Sequence, residues 1–372
     1  MALFLLYVVS QNHYQIRNAL SSATRPIWDT AEGPTDIVTH YYSEGLDVNA
    51  DVCKLHHWPA RPPNARVKIL DAILMSTELD LLEIRMHELD PVVDRFFIVE
   101  SNATFTGLPK ETYFQQNRER FKRFEHKISY RLVPGYPLLP DQSPFEQESK
   151  HRIEMTNMLR AHIAEFIPDT QTLVIMSDID ELPRRAHRRA AKDVRLRGGN
   201  TPPAKELLVQ VRFRSPPPLP TSIKLRITTR SFEWYLGPTS WRASVHTWGP
   251  DTFYRHGQSS KTILSDAGWH CSYCFRTIPE YITKMQGFSH ADRIGGRLEL
   301  LGEGRIQETI CRGKDIFGML PEAYSYVDLL SKLSLEPQTT AVNLPLYLIE
   351  NAERFKFLLP GGCMREPPGS PS

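Results

Sequence analysis

Three short apolar runs, "RVKILDAILM" (66–75), "DRFFIVES" (94–101) and "TLVIM" (172–176), are separated by two stretches of helical spacing. In "STELDLLEIRMHELD" (76–90), Leu79, Leu82, Met86 and Leu89 recur every three or four residues. Met155, Met158, Leu159, Ile163 and Phe166 do the same in "FEQESKHRIEMTNMLRAHIAEFI" (145–167). Near-continuous apolar strands alternating with such helices require a sheet buried on both faces. The pattern predicts an α/β fold with a mainly parallel central sheet covered by helices. Thr77 is the predicted N-cap of the first helix, with acids in its first turn where the helix dipole favours them.

Ligands of such sheets bind beyond the carboxyl ends of the strands. "STELD", "ESNATF" and "SDIDE" lie at that edge. In extended backbone, Asp178 and Asp180 of "LVIMSDIDELPRR" would point the same way, at i and i+2. Two hard oxygen donors suit Mg²⁺ or Mn²⁺, ions that are mainly useful beside phosphates. The same acids also suit a turn and helix cap ahead of Pro183. In "DAGWHCSYCF" (266–275), Cys271 and Cys274 have zinc or redox spacing, but no second pair exists and no helix opens there. A disulfide or two packed thiols is therefore expected. His270 is either a satisfied polar residue among aromatics or a neutral imidazole completing the metal shell. Asn102-Ala103-Thr104 is a glycosylation acceptor by pattern. Glu100, Ser101 and Asn102 are equally placed to hydrogen-bond a ligand. Arg312 and Lys314 of "RIQETICRGKDIFG" would meet a diphosphate or form a solvated helix end.

The balance of 45 basic against 43 acidic residues leaves a net charge of +2, which argues against nucleic acid as a partner. Five cysteines are too few for a disulfide scaffold in 372 residues, and their odd number leaves at least one outside any intramolecular pairs. "MALFLLYVVS" opens with eight apolar residues, Ala2 to Val9, and residues 1–25 are read as the residue of a signal-anchor and the start of a stem. Residues 26–65, ending in "WPARPPNAR", continue that stem. The domain is expected over 66–360, with a mobile, basic and proline-rich insertion near 185–221 and a disordered tail over 361–372.

"ELDLLEIRMHEL", "FIVESNATFTGLPK", "VIMSDIDELPR", "SFEW", "GWHCSYCF" and "YLIENAERFKFLL", in this order, resemble glycosyltransferase family 17 over roughly residues 66–360. Residues of about 185–221 look unlike that family. The resemblance implies a GT-A-like nucleotide-sugar-binding fold and an inverting transferase. Its donor would be UDP-GlcNAc and its product a β1,4 linkage to a mannose of an N-glycan. Mn²⁺ (or Mg²⁺) would sit on Asp178, Asp180 and His270. Glu78, Arg85, Glu100, Ser101, Asn102, Arg312 and Lys314 are the expected donor-binding residues. A carboxylate must deprotonate the acceptor hydroxyl, and Glu280, Asp266 and Glu100 are the candidates. Partners would be a nucleotide sugar and a glycoprotein glycan. The catalytic domain would face the Golgi lumen, membrane-associated through an N-terminal anchor. The alternatives are another donor or acceptor, a two-carboxylate glycosidase, or an inactive carbohydrate-binding relative.

Overall fold

The computed structural model describes residues 65–139, 141–184, 225–240, 242–257, 260–318 and 335–369, with short pieces at 24, 34, 36–41, 50–56 and 221–223. Most of the expected anchor and stem lies outside these residues. So does the expected insertion, apart from Thr221.

The described strands begin with β1 (Asp36–Val38), β2 (Val67–Met75), β3 (Arg95–Ser101) and β4 (Ile128–Val133). They continue with β5 (Gln171–Met176), β6 (Glu181–Pro183), β7 (Thr221–Ile223) and β8 (Leu225–Thr229). β9 (Trp234–Ser240), β10 (Ser244–Thr247), β11 (Thr262–Leu264) and β12 (Gly268–Ser272) follow. Eight of them form the central sheet in the order β1-β11-β7-β10-β5-β2-β3-β4. β5, β2, β3 and β4 run parallel, as the alternation with helices requires, and β10 joins antiparallel to β5. A second sheet has the order β6-β12-β8-β9. β1 falls within the stretch expected to be stem, yet it pairs with β11 at the edge of the central sheet.

The longer helices are α1 (Leu79–Leu89), α2 (Pro144–Ile163), α3 (Ile278–Gly287) and α4 (Glu303–Cys311). Alternate strand residues divide the core. Ile73, Phe96, Ile98 and Ile175 pack with Leu82, Met86 and Leu89 of α1. Leu70, Phe97, Val99 and Val174 pack with Met155, Met158 and Leu159 of α2 on the other face. Each such aliphatic or aromatic side chain contributes about 1.5–3 kcal/mol by burial, so neither face can be turned to water cheaply.

Two local expectations change. Thr77 is not the cap of α1: Glu78 occupies that position, and its Oε2 accepts the Thr77 N–H at 2.8 Å. The Thr77 hydroxyl is buried without a hydrogen-bond partner among the described residues. The tail is docked as far as residue 369. Cys363 is disulfide-bonded to Cys311, and the buried Arg365 donates to the Phe357 carbonyl at 2.8 Å. A cross-link and a buried guanidinium outweigh the entropy that a proline-rich terminus would otherwise keep.

Candidate active site

A cavity of about 810 Å³ opens beyond the carboxyl ends of β2, β3 and β5. Its floor includes Met75, Ser101 and Asp178, and α2 forms one wall. That helix starts where it must. Ser143 and Glu146 form a capping box with Pro144 in the first turn, satisfying orphan N–H groups. The opposite wall comes from residues 253–256 and from the end of α3, which docks on the loop after β3. Phe105 N–H donates to the Gly287 carbonyl at 3.0 Å, and a Cβ at Gly287 would lie 2.6 Å from Thr104 Cγ2.

Asp178-Ile179-Asp180 is a turn, not extended chain: Glu181 N–H donates to the Asp178 carbonyl at 3.0 Å. The two carboxylates therefore part. Asp178 lies on the cavity wall with its side chain 44 % exposed, 3.5 Å from His256 Nδ1. Asp180 is buried, 3.7 Å from His270 Nε2, and that nitrogen is also 3.0 Å from the Ser272 hydroxyl. Burial pushes the Asp180 carboxyl above its usual range against the pull of His270. Among the described residues, no three His, Cys, Asp or Glu side chains converge on a point that could hold an ion. Asp178, Asp180 and His270 do not form the three-ligand shell expected from sequence. A divalent ion held largely by substrate phosphates needs one or two carboxylates, and Asp178 fits that mode.

The other expected residues separate into those on the cavity wall and those away from it. Glu78 is on the wall, buried, and accepts from Lys284 Nζ at 2.6 Å. Burial raises its carboxyl, but the Lys284 charge outweighs this and leaves it below the usual range. Ser101 is on the wall, with its hydroxyl accepting the Ala103 N–H at 3.2 Å. Glu100 reaches the wall too, but its oxygens accept from Phe114 N–H, Gln115 N–H and the Tyr130 hydroxyl at 2.8, 3.2 and 2.9 Å. That carboxylate orders the helix at 113–116 and is not a free base.

Arg85 contacts no ligand space. It is 0 % exposed, forks onto Asp71 at 2.6 and 2.9 Å, and donates to Ser177 Oγ and the Asp178 carbonyl. Its function is to hold the Asp178 turn in place. Asn102 is exposed, and its Oδ1 accepts the Gly135 N–H at 2.8 Å. Arg312 pairs with Glu308 on the exposed side of α4, and Lys314 is exposed; neither lines the cavity. Asp266 precedes β12 and pairs with Arg184 and Arg226 at 3.3 and 3.7 Å, off the cavity. Glu280 caps α3, its Oε2 accepting Thr277 N–H and hydroxyl at 2.9 Å each. Cys271 and Cys274 are disulfide-bonded, the first of the two alternatives open from sequence.

Sequence reasoning missed much of the wall. Lys110, Arg152, Arg255 and Lys284 bring positive charge to it, and His151 and His256 bring imidazoles. Despite its burial, His256 is raised to about 9 by Asp178 and Glu181, and it contacts Glu181 Oε2 at 2.9 Å. No spacing rule could have grouped residues drawn from the loop after β3, from α2, from the 253–256 loop and from α3. A cationic lining around an open aspartate can take a phosphorylated ligand, with apolar Phe105, Phe253 and Phe288 to pack beside it.

The chain matches the model of glycosyltransferase family 17 over residues 1–192 and 207–366. The match extends beyond 66–360 at both ends, and its interruption, 193–206, is narrower than the 185–221 expected to depart from the family. Two relatives carry the name β-1,4-mannosyl-glycoprotein 4-β-N-acetylglucosaminyltransferase. The rat protein is 24% identical over 307 residues and the human protein 26% over 309, each alignment covering 78% of this chain. The alignments cover 54% and 55% of those relatives, so the chain spans about half their length. A mannosyltransferase of Pyrobaculum calidifontis, PcManGT, solved with GDP-Man and Mn²⁺, is 12% identical, covering 74% of this chain and 72% of its own. Its TM-score of 0.30 is too low to transfer fold details or ligands. With the family model matched along nearly the whole sequence, the chain belongs to glycosyltransferase family 17.

Proposed function

We propose that the chain transfers GlcNAc from UDP-GlcNAc, with inversion, to a mannose of an N-glycan in β1,4 linkage. One observation carries the reading: a cavity at the carboxyl edge of the parallel strands that sets Asp178 among Lys110, Arg152, Arg255 and Lys284. The names of the rat and human relatives support this donor and acceptor. An α-linked donor and a β-linked product require in-line attack by the acceptor hydroxyl on the anomeric carbon. The cations would receive the diphosphate and stabilise it as it leaves. Mg²⁺ or Mn²⁺ held by Asp178 and the diphosphate would neutralise part of the leaving group's charge. Arg85 keeps the Asp178 turn rigid from behind, so that this carboxylate need not reorganise when donor arrives.

The Cys271–Cys274 and Cys311–Cys363 bonds support an oxidising compartment, in keeping with a secretory or Golgi lumenal protein. No described helix is long and apolar enough to cross a membrane; membrane attachment through the N-terminal region is part of the proposal. The test is a donor screen. Purified protein is given Mn²⁺ and several UDP-sugars, with and without a mannose-terminated N-glycan, and free UDP and glycosylated product are measured. Acceptor-dependent UDP release from UDP-GlcNAc, abolished by EDTA, is expected. Release from a different UDP-sugar alone would replace the donor assignment.

A further inference from the structure

The acceptor hydroxyl must lose a proton, and the carboxylates expected to take it are engaged or misplaced. Asp266 and Glu280 are off the cavity wall, and Glu100 is saturated by two backbone N–H groups and a phenol. Of the remaining acids on the wall, Glu78 is held by Lys284 and Glu148 by Arg152 and Ser289. Asp178 is assigned to the diphosphate side. His256 is engaged on both sides, its Nδ1 3.5 Å from Asp178 and its Nε2 2.9 Å from Glu181. His290 sits at the exposed rim, against Phe145 and Phe288.

His151 is different. It projects from α2 three residues after Glu148, so that the two share a helix face. It is 5 % exposed and lines the cavity, with its ring 5.4 Å from that of Phe105. Neither ring nitrogen has a hydrogen-bond partner among the described residues. A hydroxyl entering the cavity would meet a ring nitrogen that no described residue engages. Burial, with the charge of Lys110 assisting and that of Glu148 opposing, pushes the imidazole down to about 4. A lone pair is therefore free at neutral pH.

Building on the transferase reading, we propose that His151 is the catalytic base that accepts the proton of the attacking acceptor hydroxyl. As the acceptor oxygen bonds to the anomeric carbon, the bond from that carbon to the phosphate oxygen breaks. Its electron pair leaves with the diphosphate. The hydroxyl proton passes to a ring nitrogen of His151 and is lost to water after the glycan departs.

The test compares wild type, His151→Gln and His151→Ala with UDP-GlcNAc, Mn²⁺ and a mannose-terminated N-glycan. UDP affinity by calorimetry and melting temperature are measured alongside. Both variants should lose about 10²–10⁴-fold in kcat while keeping UDP affinity and remaining folded. Added imidazole should restore part of the activity of His151→Ala and none of that of His151→Gln, whose side chain fills the space. A Gln variant as fast as wild type overturns the proposal and leaves the transferase reading standing. Loss of UDP affinity in step with kcat also overturns it, because the residue would then shape the donor site. Wild type that transfers no sugar overturns the reading and the proposal together.

Discussion

Acidic side chains from one short stretch of chain, Glu78 to Glu83, go to two places, and the two places differ in what is left unspent. On the far side of α1, Asp80 accepts from Arg120 and Arg276 at 2.5–3.0 Å. Glu83 accepts from Arg120, from both Arg354 nitrogens at 2.5 and 2.7 Å, and from the Tyr347 hydroxyl at 2.6 Å. Every partner comes from another segment, so the cluster staples α1 to the 118–127 turn, to the start of α3 and to the C-terminal region. On the cavity side, Glu78 is paired, but Asp178 keeps a side chain 44 % exposed and His151 has no hydrogen-bond partner among the described residues. A saturated carboxylate has no valence left for a ligand, whereas an open one has. Satisfaction, more than the density of acids, separates the staple from the site.

The sharpest way to break this comparison is a pair of truncations. Asp178→Ala should lower transfer by about 10²-fold or more with an unchanged ligand-free melting temperature, since the side chain is already open to solvent. Glu83→Ala leaves Arg120 with Asp80 alone, takes the buried carboxylate away from the partly exposed Arg354, and should destabilise the fold by about 3 kcal/mol. The protein that remains folded should still bind UDP. Denaturation midpoints and UDP affinities for both variants decide the matter, and a reversal of the two patterns would end the distinction.

The fold was legible where its cause is local. Apolar spacing placed β2, β3, β5, α1 and α2 within a few residues of their bounds, because burial on both faces writes itself directly into the strand sequence. The place of Asp178 at the cavity was legible for the same reason, since it follows directly on such a strand. The direction of Asp180 was not, since a turn closed by the Glu181 carboxylate replaced extended chain. Arg85 was misplaced because its burial depends on Asp71 in the neighbouring strand, a partner that helical periodicity does not reveal. His151 fits the spacing of α2, but its exposure to a cavity depends on loops near 105 and 288, which only the topology brings there.

The staple can also be loosened from a distance. The tail supplies Glu366 to Arg276 at 3.0 Å and is tied by Cys311–Cys363, whose sequence separation is 52. The chain-entropy model gives about 4 kcal/mol for a loop of that size and about 2 kcal/mol for the Cys271–Cys274 loop. Cys363→Ser should therefore lower stability more than Cys274→Ser, as read by chemical denaturation without reductant. Neither should alter UDP affinity, because neither disulfide reaches the cavity wall. An equal cost for both would show that the tail docks without help from its cross-link.

Glu280 tests the boundary between the two clusters at finer scale. Burial raises its carboxyl from 4.5 to about 7, the negative charges of Asp80 and Glu78 add to the effect, and the hydrogen bonds from Thr277 oppose it. Because the folded form holds the proton more tightly, the contribution of this group to stability is complete below pH 4.5. It falls as pH rises from 4.5 through 7, where the unfolded chain has ionised and the folded one is about half ionised. The loss amounts to about 3 kcal/mol at most. Glu280→Gln preserves the side chain of the capping box but cannot ionise. Its stability should match wild type at pH 4.5 and exceed it above pH 7. Denaturant midpoints at the two pH values measure the difference. Parallel slopes would mean that water reaches the Glu280 carboxyl and that Asp80 and Glu78 are neutralised by their own cations, so that neither burial nor their charge holds the proton.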